Sequence, residues 1–240
     1  MLELIRTFVI RHFSDTTRES LRNFIKSLKA LFLQDNLDKL AVLYGTDKFS
    51  HHYTPIYSFY LQEKRYSPFN ILEIGIGGMD NPQSGGGSLK MWSKYFPNSN
   101  IYGIDIYDKS FFNSRKIKTY RGSQTDVGFL DKLIVEIKNV YIIIDDGSHI
   151  NTDVITSFKH LFPQLADGGY YFIEDIQTSY WTEYGGDSTN LNHPNTTLSY
   201  FKTLIDEINH TEIRNRSDIN NDFKIEYIHF YHNMIVVKKQ

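Results

Sequence analysis

The sequence predicts an α/β fold in which a mostly parallel sheet is covered by helices on both faces. Short β-rich runs alternate with amphipathic stretches from residue 70 onward, and this alternation is typical of parallel sheets. The last two β-rich runs are separated by only a few residues, which predicts an antiparallel hairpin. The 240 residues, 40% of them hydrophobic and 15% aromatic, suffice for one large domain with a sizeable core.

The first 43 residues are predicted to form an N-terminal helical segment, and residues 44–240 the main domain. Apolar side chains recur in this segment at helical spacing, with basic side chains on the other side of the same helix. The apolar set is Leu21, Phe24, Ile25, Leu28, Leu31 and Phe32. A stripe of this size favours packing on the main domain or on another subunit, which predicts a homo-oligomer. A basic amphipathic helix at a membrane surface is the alternative.

The main domain is predicted to contain seven strands, most of them separated by helices. A polar segment at 45–55, rich in Gly, Asp and His, leads into a helix at 56–64. Apolar runs predict buried strands, and the glycine or acidic residues that follow most of them mark where they end. The predicted strands are 70–74, 101–106, 116–120, 141–144, 170–173, 225–230 and 234–237. The remaining predicted helices are 88–95, with Ser88 as its N-cap, 127–138, 153–165 and 198–210.

Composition argues against several classes of protein. Lys and Arg number 26 against 28 Asp and Glu, and the net charge of −2 does not favour nucleic acid as a partner. The chain has no cysteine, which excludes disulfides and zinc–thiolate sites and fits a reducing compartment. No stretch approaches the roughly 20 apolar residues of a membrane span, so we expect a cytoplasmic protein.

The residues at the ends of the first two strands predict a site for an adenosine-containing cofactor, because open α/β sheets bind ligands beyond the carboxyl ends of their strands. Glu73 lies inside the first strand, where a buried carboxylate needs a partner such as the cationic amine of a ligand. Gly75, Gly77 and Gly78 allow close backbone approach, although their spacing is not the dinucleotide G-x-G-x-x-G. Asp105 ends the second strand, where Rossmann-like folds bind ribose hydroxyls.

Acidic residues at the ends of the fourth and fifth strands predict a metal site beside that cofactor. Asp146 and Glu174 are separated by one strand–helix–strand crossover, and Asp175 follows directly. Three carboxylates at neighbouring strand ends repel one another unless a cation neutralises them, and oxygen ligands suit Mg²⁺ foremost, or Mn²⁺ or Ca²⁺. Acidic turns without a metal are the alternative. His149 could reach the same cleft as a general base, or begin a helix without any chemical role.

Three blocks of the sequence resemble one enzyme family. They are 72–78, which reads Leu-Glu-Ile-Gly-Ile-Gly-Gly, together with 144–149 and 173–181, and the segment 45–57 is also similar. These blocks look like the macrolide-sugar O-methyltransferases of the mycinamicin and rhamnosyl-tetracenomycin type, which depend on S-adenosylmethionine (SAM) and Mg²⁺. The resemblance implies a Rossmann-like class I methyltransferase fold with a seven-stranded sheet.

The resemblance also implies a role for each matching residue. It implies Asp146, Glu174 and Asp175 as metal ligands and His149 as the catalytic base. The implied reaction transfers the SAM methyl group to a sugar hydroxyl of a glycoside, with the metal lowering the pKa of that hydroxyl and His149 taking its proton. The residues implied around SAM, the last two of them beside the adenine, are Glu73, Gly75, Gly77, Gly78, Ser88, Asp105, Gln124 and Asp126.

Other functions stay open at this point. A catechol-type aromatic O-methyltransferase would use the same metal site, and only the acceptor pocket would distinguish it. A non-catalytic adenosyl-binding module would need the glycines but not the acids. The sequence lacks the glycine spacing that a nicotinamide oxidoreductase would need. Three aromatic residues near the second acidic block suit the face of a sugar ring or the packing of a long loop: Tyr180, Trp181 and Tyr184.

Overall fold

Seven strands form one sheet at the centre of the computed structural model, which describes residues 14–215 and 218–240. The strands are β1 (Asn70–Ile74), β2 (Asn100–Asp105), β3 (Ile117–Arg121), β4 (Val140–Asp145), β5 (Tyr170–Glu174), β6 (Ile225–Tyr231) and β7 (Met234–Lys239). Their order is β3-β2-β1-β4-β5-β7-β6, with β7 antiparallel to both neighbours and the other pairs parallel. The predicted fold class is confirmed, and each strand lies within two residues of its predicted bounds.

Helices cover both faces of this sheet because side chains alternate along each strand. The helices are α1 (Asp15–Leu33), α2 (Leu37–Tyr44), α3 (Tyr53–Leu61), α4 (Gly87–Tyr95), α5 (Val127–Ile137), α6 (Asn151–Leu161) and α7 (Thr197–Ile208). In β4, Ile142 and Ile144 belong to the apolar cluster under α2, α3 and α4, whereas Ile143 belongs to the cluster under α5, α6 and α7. The two layers leave the carboxyl ends of the parallel strands open to loops.

Four helices begin earlier than predicted, two of them, α4 and α7, by a single residue. α4 begins at Gly87, and Gly86, with a φ of 66°, takes the N-cap position that the sequence had suggested for Ser88. α3 begins at Tyr53 because the carbonyl of Lys48 already accepts the backbone N–H of Tyr53, at 2.9 Å. Its predicted last turn is a separate 3₁₀ turn, Gln62–Lys64. α6 begins at Asn151 and also ends in a 3₁₀ turn.

α1 turns its apolar stripe away from the sheet. Phe24 is 60% exposed and Phe32 is 84% exposed, and the other four residues of the predicted stripe are exposed as well. Ala30 is buried and Leu33 packs partly against the domain, so the side of α1 that faces the sheet is a different one. The part of the predicted segment before residue 14 lies outside the described residues. Within the described ranges, no helix is long and apolar enough to cross a bilayer.

Candidate active site

A cavity of about 760 Å³ opens at the carboxyl ends of the parallel strands. It lies where the strand order reverses between β1 and β4, which is the position at which open α/β sheets bind ligands. Its lining includes most of the site residues that the sequence indicated: Gly75, Gly77, Gly78, Ser88, Asp105, Gln124, Asp146, His149 and Asp175. Glu73, Asp126 and Glu174 do not line it: Lys48 lies beside Glu73 and Glu174, and Asp126 caps a helix.

The loop between β1 and α4 brings bare backbone to the cavity. Gly75 has a φ of 85°, and a Cβ atom at this position would overlap the backbone carbonyl of Asp146, so only glycine fits. Lys109, which is 1% exposed, holds the same loop from behind. Its Nζ donates hydrogen bonds to the carbonyl oxygens of Met79, Asn81 and Ser84, at 2.7, 2.9 and 3.1 Å. No local pattern around this lysine, which follows β2, predicts the contact.

Asp105 stands at the end of β2, on the wall of the cavity. Its Oδ2 accepts the backbone N–H of Ile76 at 3.0 Å, and its Oδ1 accepts that of Tyr107 at 2.9 Å. A carboxylate oxygen has two acceptor positions, so each oxygen can accept one more hydrogen bond. The two backbone contacts therefore fix the orientation of the carboxylate and leave it able to bind a pair of hydroxyl groups, as a ribose would present them.

Gln124 supports the loop that carries His149. Its Oε1 accepts the backbone N–H of Ser148 at 2.8 Å, and its Nε2 donates to Asp145 at 3.2 Å. Asp145 is buried, and burial raises the pKa of its carboxyl to about 6, although hydrogen bonds from neighbouring hydroxyls act in the opposite direction. One of these comes from Ser157 at 2.5 Å. Gln124 thus lines the cavity, and both its amide oxygen and its amide nitrogen are hydrogen-bonded to other residues of the protein.

Asp146, His149 and Asp175 converge at the carboxyl ends of β4 and β5. His149 Nε2 lies 4.0 Å from Asp146 Oδ1 and 3.7 Å from Asp175 Oδ2. These three residues can offer one ligand atom each within 4.8 Å of one another. Two carboxylates and an imidazole at this spacing, partly exposed to the cavity, are a donor set that fits a hard divalent cation.

Two of the three residues of this cluster have left-handed backbone conformations. His149 has a φ of 58° and Asp175 has a φ of 54°. Among residues with side chains, Asn, Asp and His adopt this conformation most readily. The backbone thus holds both side chains toward each other, and variants at these positions should respect the same conformational preference.

Glu174 lies beside this cluster and is buried. Its Oε1 accepts a hydrogen bond from Lys48 Nζ at 2.7 Å and a short one from the hydroxyl of Tyr57. Burial raises the pKa of Glu174, and the negative charge of Asp146 adds to this, while the ammonium of Lys48 lowers it. The predicted third metal ligand therefore lies beside the cluster with one oxygen engaged by the chain.

Lys48 is a central residue of the site that the sequence analysis missed. It is fully buried, and its Nζ lies 2.9 Å from Asp146 Oδ2, 2.7 Å from Glu174 Oε1 and 3.3 Å from Glu73 Oε1. Burial alone lowers the pKa of Lys48, but the three carboxylates raise it well above its usual value. A buried ammonium thus neutralises part of the charge that the acids accumulate at this edge of the sheet.

Glu73 was predicted to meet a cationic amine of the cofactor, and the structure places a protein cation beside it. The side chain is fully buried, and the cation beside it is Lys48 of the same chain. Burial raises the pKa of Glu73 to about 7, against the effect of the Lys48 ammonium. Neither carboxylate oxygen receives a well-aligned hydrogen bond from the described residues. A cationic partner for this buried carboxylate is thus present in the protein itself, and a contact of Glu73 with SAM stays a prediction.

Comparison with known proteins adds an independent line of evidence. No protein-family model matches the chain. It is 43% identical over 209 residues to mycinamicin VI 2''-O-methyltransferase of Micromonospora griseorubida, covering 85% of this chain and 52% of that protein. It is 42% identical over 209 residues to demethylmacrocin O-methyltransferase of Streptomyces fradiae, covering 85% of this chain and 53% of that protein. The chain thus spans about half the length of the curated relatives it matches.

Solved structures give the same result. A structure of the MycE methyltransferase from the mycinamycin biosynthetic pathway, in complex with Mg and SAH, matches with a TM-score of 0.81 and 42% identity. The match covers 85% of this chain and 53% of that one. This chain is a homologue of the macrolide-sugar and tetracenomycin-sugar O-methyltransferases. The resemblance seen in the sequence is confirmed, and so is the methyltransferase fold.

Asp126 has a structural task at the start of α5. It was expected beside the adenine of the cofactor, but its side chain accepts the backbone N–H of Phe129 at 3.0 Å and caps α5. Asp is among the most favourable N-cap residues, since it satisfies a free N–H at the helix start. The side chain is exposed outside the cavity, and its expected place beside the adenine stays a prediction.

The aromatic loop after β5 contributes one residue to the cavity. Tyr184 lines it, whereas Tyr180 and Trp181 are about half exposed. Asn151, at the start of α6, fixes this loop. Its Nδ2 donates to the carbonyl oxygens of Thr178 and Tyr184, at 3.0 and 2.8 Å. Of these three aromatic side chains, Tyr184 is therefore the one that faces the cavity.

Proposed function

We propose that this chain transfers the methyl group of SAM to a sugar hydroxyl of a glycoside, with a divalent metal and with His149 as general base. The observation that carries the proposal is the convergence of Asp146, His149 and Asp175 beside a cavity whose other wall is glycine backbone and Asp105. The homology to sugar O-methyltransferases supports the same reaction class. Mg²⁺ is the first choice of metal because the ligands are mainly oxygen, with Mn²⁺ and Ca²⁺ as alternatives.

The cofactor and the metal would occupy neighbouring parts of the cavity. The backbone at Gly75, Gly77 and Gly78 allows close approach of SAM, and Asp105 can accept hydrogen bonds from its ribose hydroxyls. Asp146 and Asp175 would hold the metal through the oxygens that face His149. This arrangement separates cofactor binding, at the ends of β1 and β2, from metal binding, at the ends of β4 and β5.

A bound divalent cation would lower the pKa of an acceptor hydroxyl and fix its position. His149 removes the hydroxyl proton through Nε2, the ring nitrogen that lies 3.7 Å from Asp175 Oδ2 and 4.0 Å from Asp146 Oδ1. The hydroxyl oxygen then forms a bond to the methyl carbon as the bond from that carbon to sulfur breaks. The products are a methyl ether and S-adenosylhomocysteine (SAH). We place this reaction in the cytoplasm, where cells hold their SAM.

A panel of acceptors tests the proposal. The full chain, incubated with SAM and Mg²⁺, should form SAH with a macrolide glycoside or another deoxysugar glycoside and not with the matching aglycone. Methylation of a catechol but of no glycoside would favour the catechol-type alternative. SAH binding without methyl transfer to any member of the panel would favour an adenosyl-binding module and reject the proposed reaction.

Asp105→Ala should weaken SAH binding because the ribose hydroxyls lose their acceptor. Loss of a hydrogen bond to a charged group costs about 1.5–3 kcal/mol, which corresponds to an affinity about 10- to 150-fold lower in calorimetry. Asp126→Ala is the matched control, since it removes an acidic side chain that caps α5 outside the cavity. Equal SAH affinity for Asp105→Ala and the wild type, with the fold intact, would contradict the ribose assignment.

We also propose that the N-terminal segment, residues 1–43, joins copies of the chain. The exposed stripe of α1 contains six large apolar residues on the side that does not face the sheet. Contiguous apolar surface of this kind usually marks an interaction site. A second copy of the chain would cover it by placing an equivalent stripe opposite, in the symmetric arrangement typical of homo-oligomers.

A chain that starts at Leu37 should have a lower molar mass in light scattering than the full chain. It keeps α2, whose residues Leu37, Leu40 and Ala41 are buried in the core. In the full chain, Phe24→Asp combined with Phe32→Asp should have the same effect, whereas Val135→Asp, at an exposed position of α5, should leave the mass unchanged. The same mass for the shortened and full chains would reject self-association through α1.

A further inference from the structure

The segment that runs from Lys48 into α3 contacts the acids of the proposed metal site from behind. Tyr57, which is fully buried, donates its hydroxyl proton to Glu174 Oε1, the oxygen that also accepts from Lys48. Tyr53, which is 1% exposed, donates to Asp175 Oδ1 at 2.7 Å. Two tyrosines one helical turn apart therefore engage two consecutive acids at the end of β5.

The hydrogen bond from Tyr53 engages one particular oxygen of Asp175. Tyr53 binds Oδ1, whereas the oxygen that lies 3.7 Å from His149 Nε2 is Oδ2. Asp146 shows the same division, since Lys48 binds its Oδ2 and its Oδ1 faces His149. In both acids, the oxygen that is engaged by the chain lies opposite the one that faces the imidazole. The orientation of each carboxylate is thus fixed before any ligand arrives.

Both tyrosines are themselves held firmly. The ring of Tyr57 lies between Trp92 and Phe172, with ring centroids 4.9 and 4.6 Å away. The hydroxyl of Tyr53 accepts the backbone N–H of Asp175 at 3.3 Å and lies 3.2 Å from the carbonyl oxygen of Asn233, in the turn between β6 and β7. The donors therefore come from a rigid helix that packs on the sheet, and not from a mobile loop.

We propose, on the basis of the metal-assisted function above, that Tyr53 and Tyr57 are positioning residues for the metal acids. By engaging one oxygen of Asp175 and one of Glu174, they set the direction in which the remaining oxygens can meet a divalent cation. Partners of metal ligands that lie outside the coordination sphere typically change metal affinity by about 10- to 100-fold when they are removed. Neither tyrosine lines the cavity, so neither touches the cofactor or the acceptor.

α3 itself offers a matched control. Tyr60 lies on the same helix and is also buried, but its hydroxyl is hydrogen-bonded to His229 Nδ1 at 2.5 Å and to Tyr231 at 2.7 Å. These partners belong to β6, away from the acids. Tyr60→Phe therefore removes a buried tyrosine hydroxyl from α3 without changing the hydrogen bonds of Asp175 or Glu174. Any general damage to the helix should affect this variant as well.

The experiment measures the affinity of the full chain for Mn²⁺ by the loss of the free-ion paramagnetic resonance signal, together with SAH affinity by calorimetry. Tyr53→Phe should bind Mn²⁺ about 10- to 100-fold more weakly than the wild type. Tyr57→Phe should show a smaller loss, because Lys48 still holds Glu174 Oε1. Tyr60→Phe should bind Mn²⁺ like the wild type, and all three should bind SAH normally. In the two affected variants, saturating Mn²⁺ should restore most of kcat.

The outcomes separate this inference from the proposed function. If the wild type binds Mn²⁺ and Tyr53→Phe binds it equally well, the positioning role is wrong and the metal site stands. If Tyr60→Phe loses as much affinity as Tyr53→Phe, the loss reflects damage to α3 and the positioning role is again wrong. If the wild type binds no divalent ion, the metal-assisted function falls and the positioning role falls with it.

Discussion

We expect a chelator such as EDTA to abolish methyl transfer and added Mg²⁺ to restore it. Asp146 and Asp175 place two carboxylates around His149 at the edge of the cavity, and the proposed reaction needs a cation there to acidify the acceptor hydroxyl. A metal acting as a Lewis acid contributes several kcal/mol to the transition state, so the rate should fall by at least about a hundredfold. The measurement is SAH formation from SAM and a glycoside, with SAH binding followed in parallel.

Asp175→Asn tests the metal ligand without disturbing the backbone. Asparagine keeps the shape of aspartate, tolerates the left-handed conformation found at this position and can still accept the hydrogen bond from Tyr53. It should weaken Mg²⁺ binding and lower turnover sharply, while SAH affinity remains unchanged. Glu174→Gln should also lower turnover more than it lowers SAM affinity. This variant is less specific, because it disturbs the buried ion pair between Glu174 and Lys48 as well. Undiminished activity in excess EDTA would overturn the metal mechanism.

His149→Asn is expected to have an equally large effect, through loss of the general base. General acid–base groups typically contribute about 10²- to 10⁴-fold, so kcat should fall by that range. Asparagine is preferable to alanine because His149 has a φ of 58°. His52→Asn is the matched control: His52 also has a left-handed backbone, with a φ of 61°, but it is exposed and does not line the cavity.

The Mg²⁺ affinity of His149→Asn then shows whether His149 is a general base or a metal ligand. A general base can be removed with little effect on the metal, so His149→Asn should bind Mg²⁺ and SAH as the wild type does. The geometry also allows the imidazole to be a ligand, because its ligand atom lies within 4.8 Å of those of both acids. A loss of Mg²⁺ affinity that matches the loss of turnover would assign His149 to the metal and leave the proton to another acceptor.

The strands were predictable because each leaves a local pattern in the sequence. The apolar runs in β1 and β4 are short, and each is followed by glycine or an acidic residue. Strands β6 and β7 are separated by only two residues, which marks them as a hairpin. The acids at the ends of β4 and β5 followed from the same pattern, since parallel strands end at one edge of a sheet. The helix starts were less predictable, because caps such as Gly86 depend on backbone conformation.

Long-range pairing was the part that the sequence could not supply. Lys48 lies in a polar segment between helices, where a lysine is normally solvated. Its partners Asp146 and Glu174 are 98 and 126 residues away, and no local pattern connects them. The one available signal was Glu73, an acid within an apolar strand that required a cation. A ligand amine and a protein ammonium satisfy that requirement equally well, so sequence reasoning could not choose between them.

The pairing of Lys48 also affects when this part of the chain can fold during its synthesis. At about 5–20 residues per second, Glu174 leaves the ribosome roughly 6–25 seconds after Lys48. Until then the ammonium lacks the closest of its three counter-charges, and burying it is unfavourable. The contact between the Tyr53 hydroxyl and the carbonyl oxygen of Asn233 can form only later, because Asn233 is synthesised after Glu174. We therefore expect the α3 segment to dock fully only after β5 has emerged, because the buried ammonium of Lys48 then has all three of its carboxylate partners.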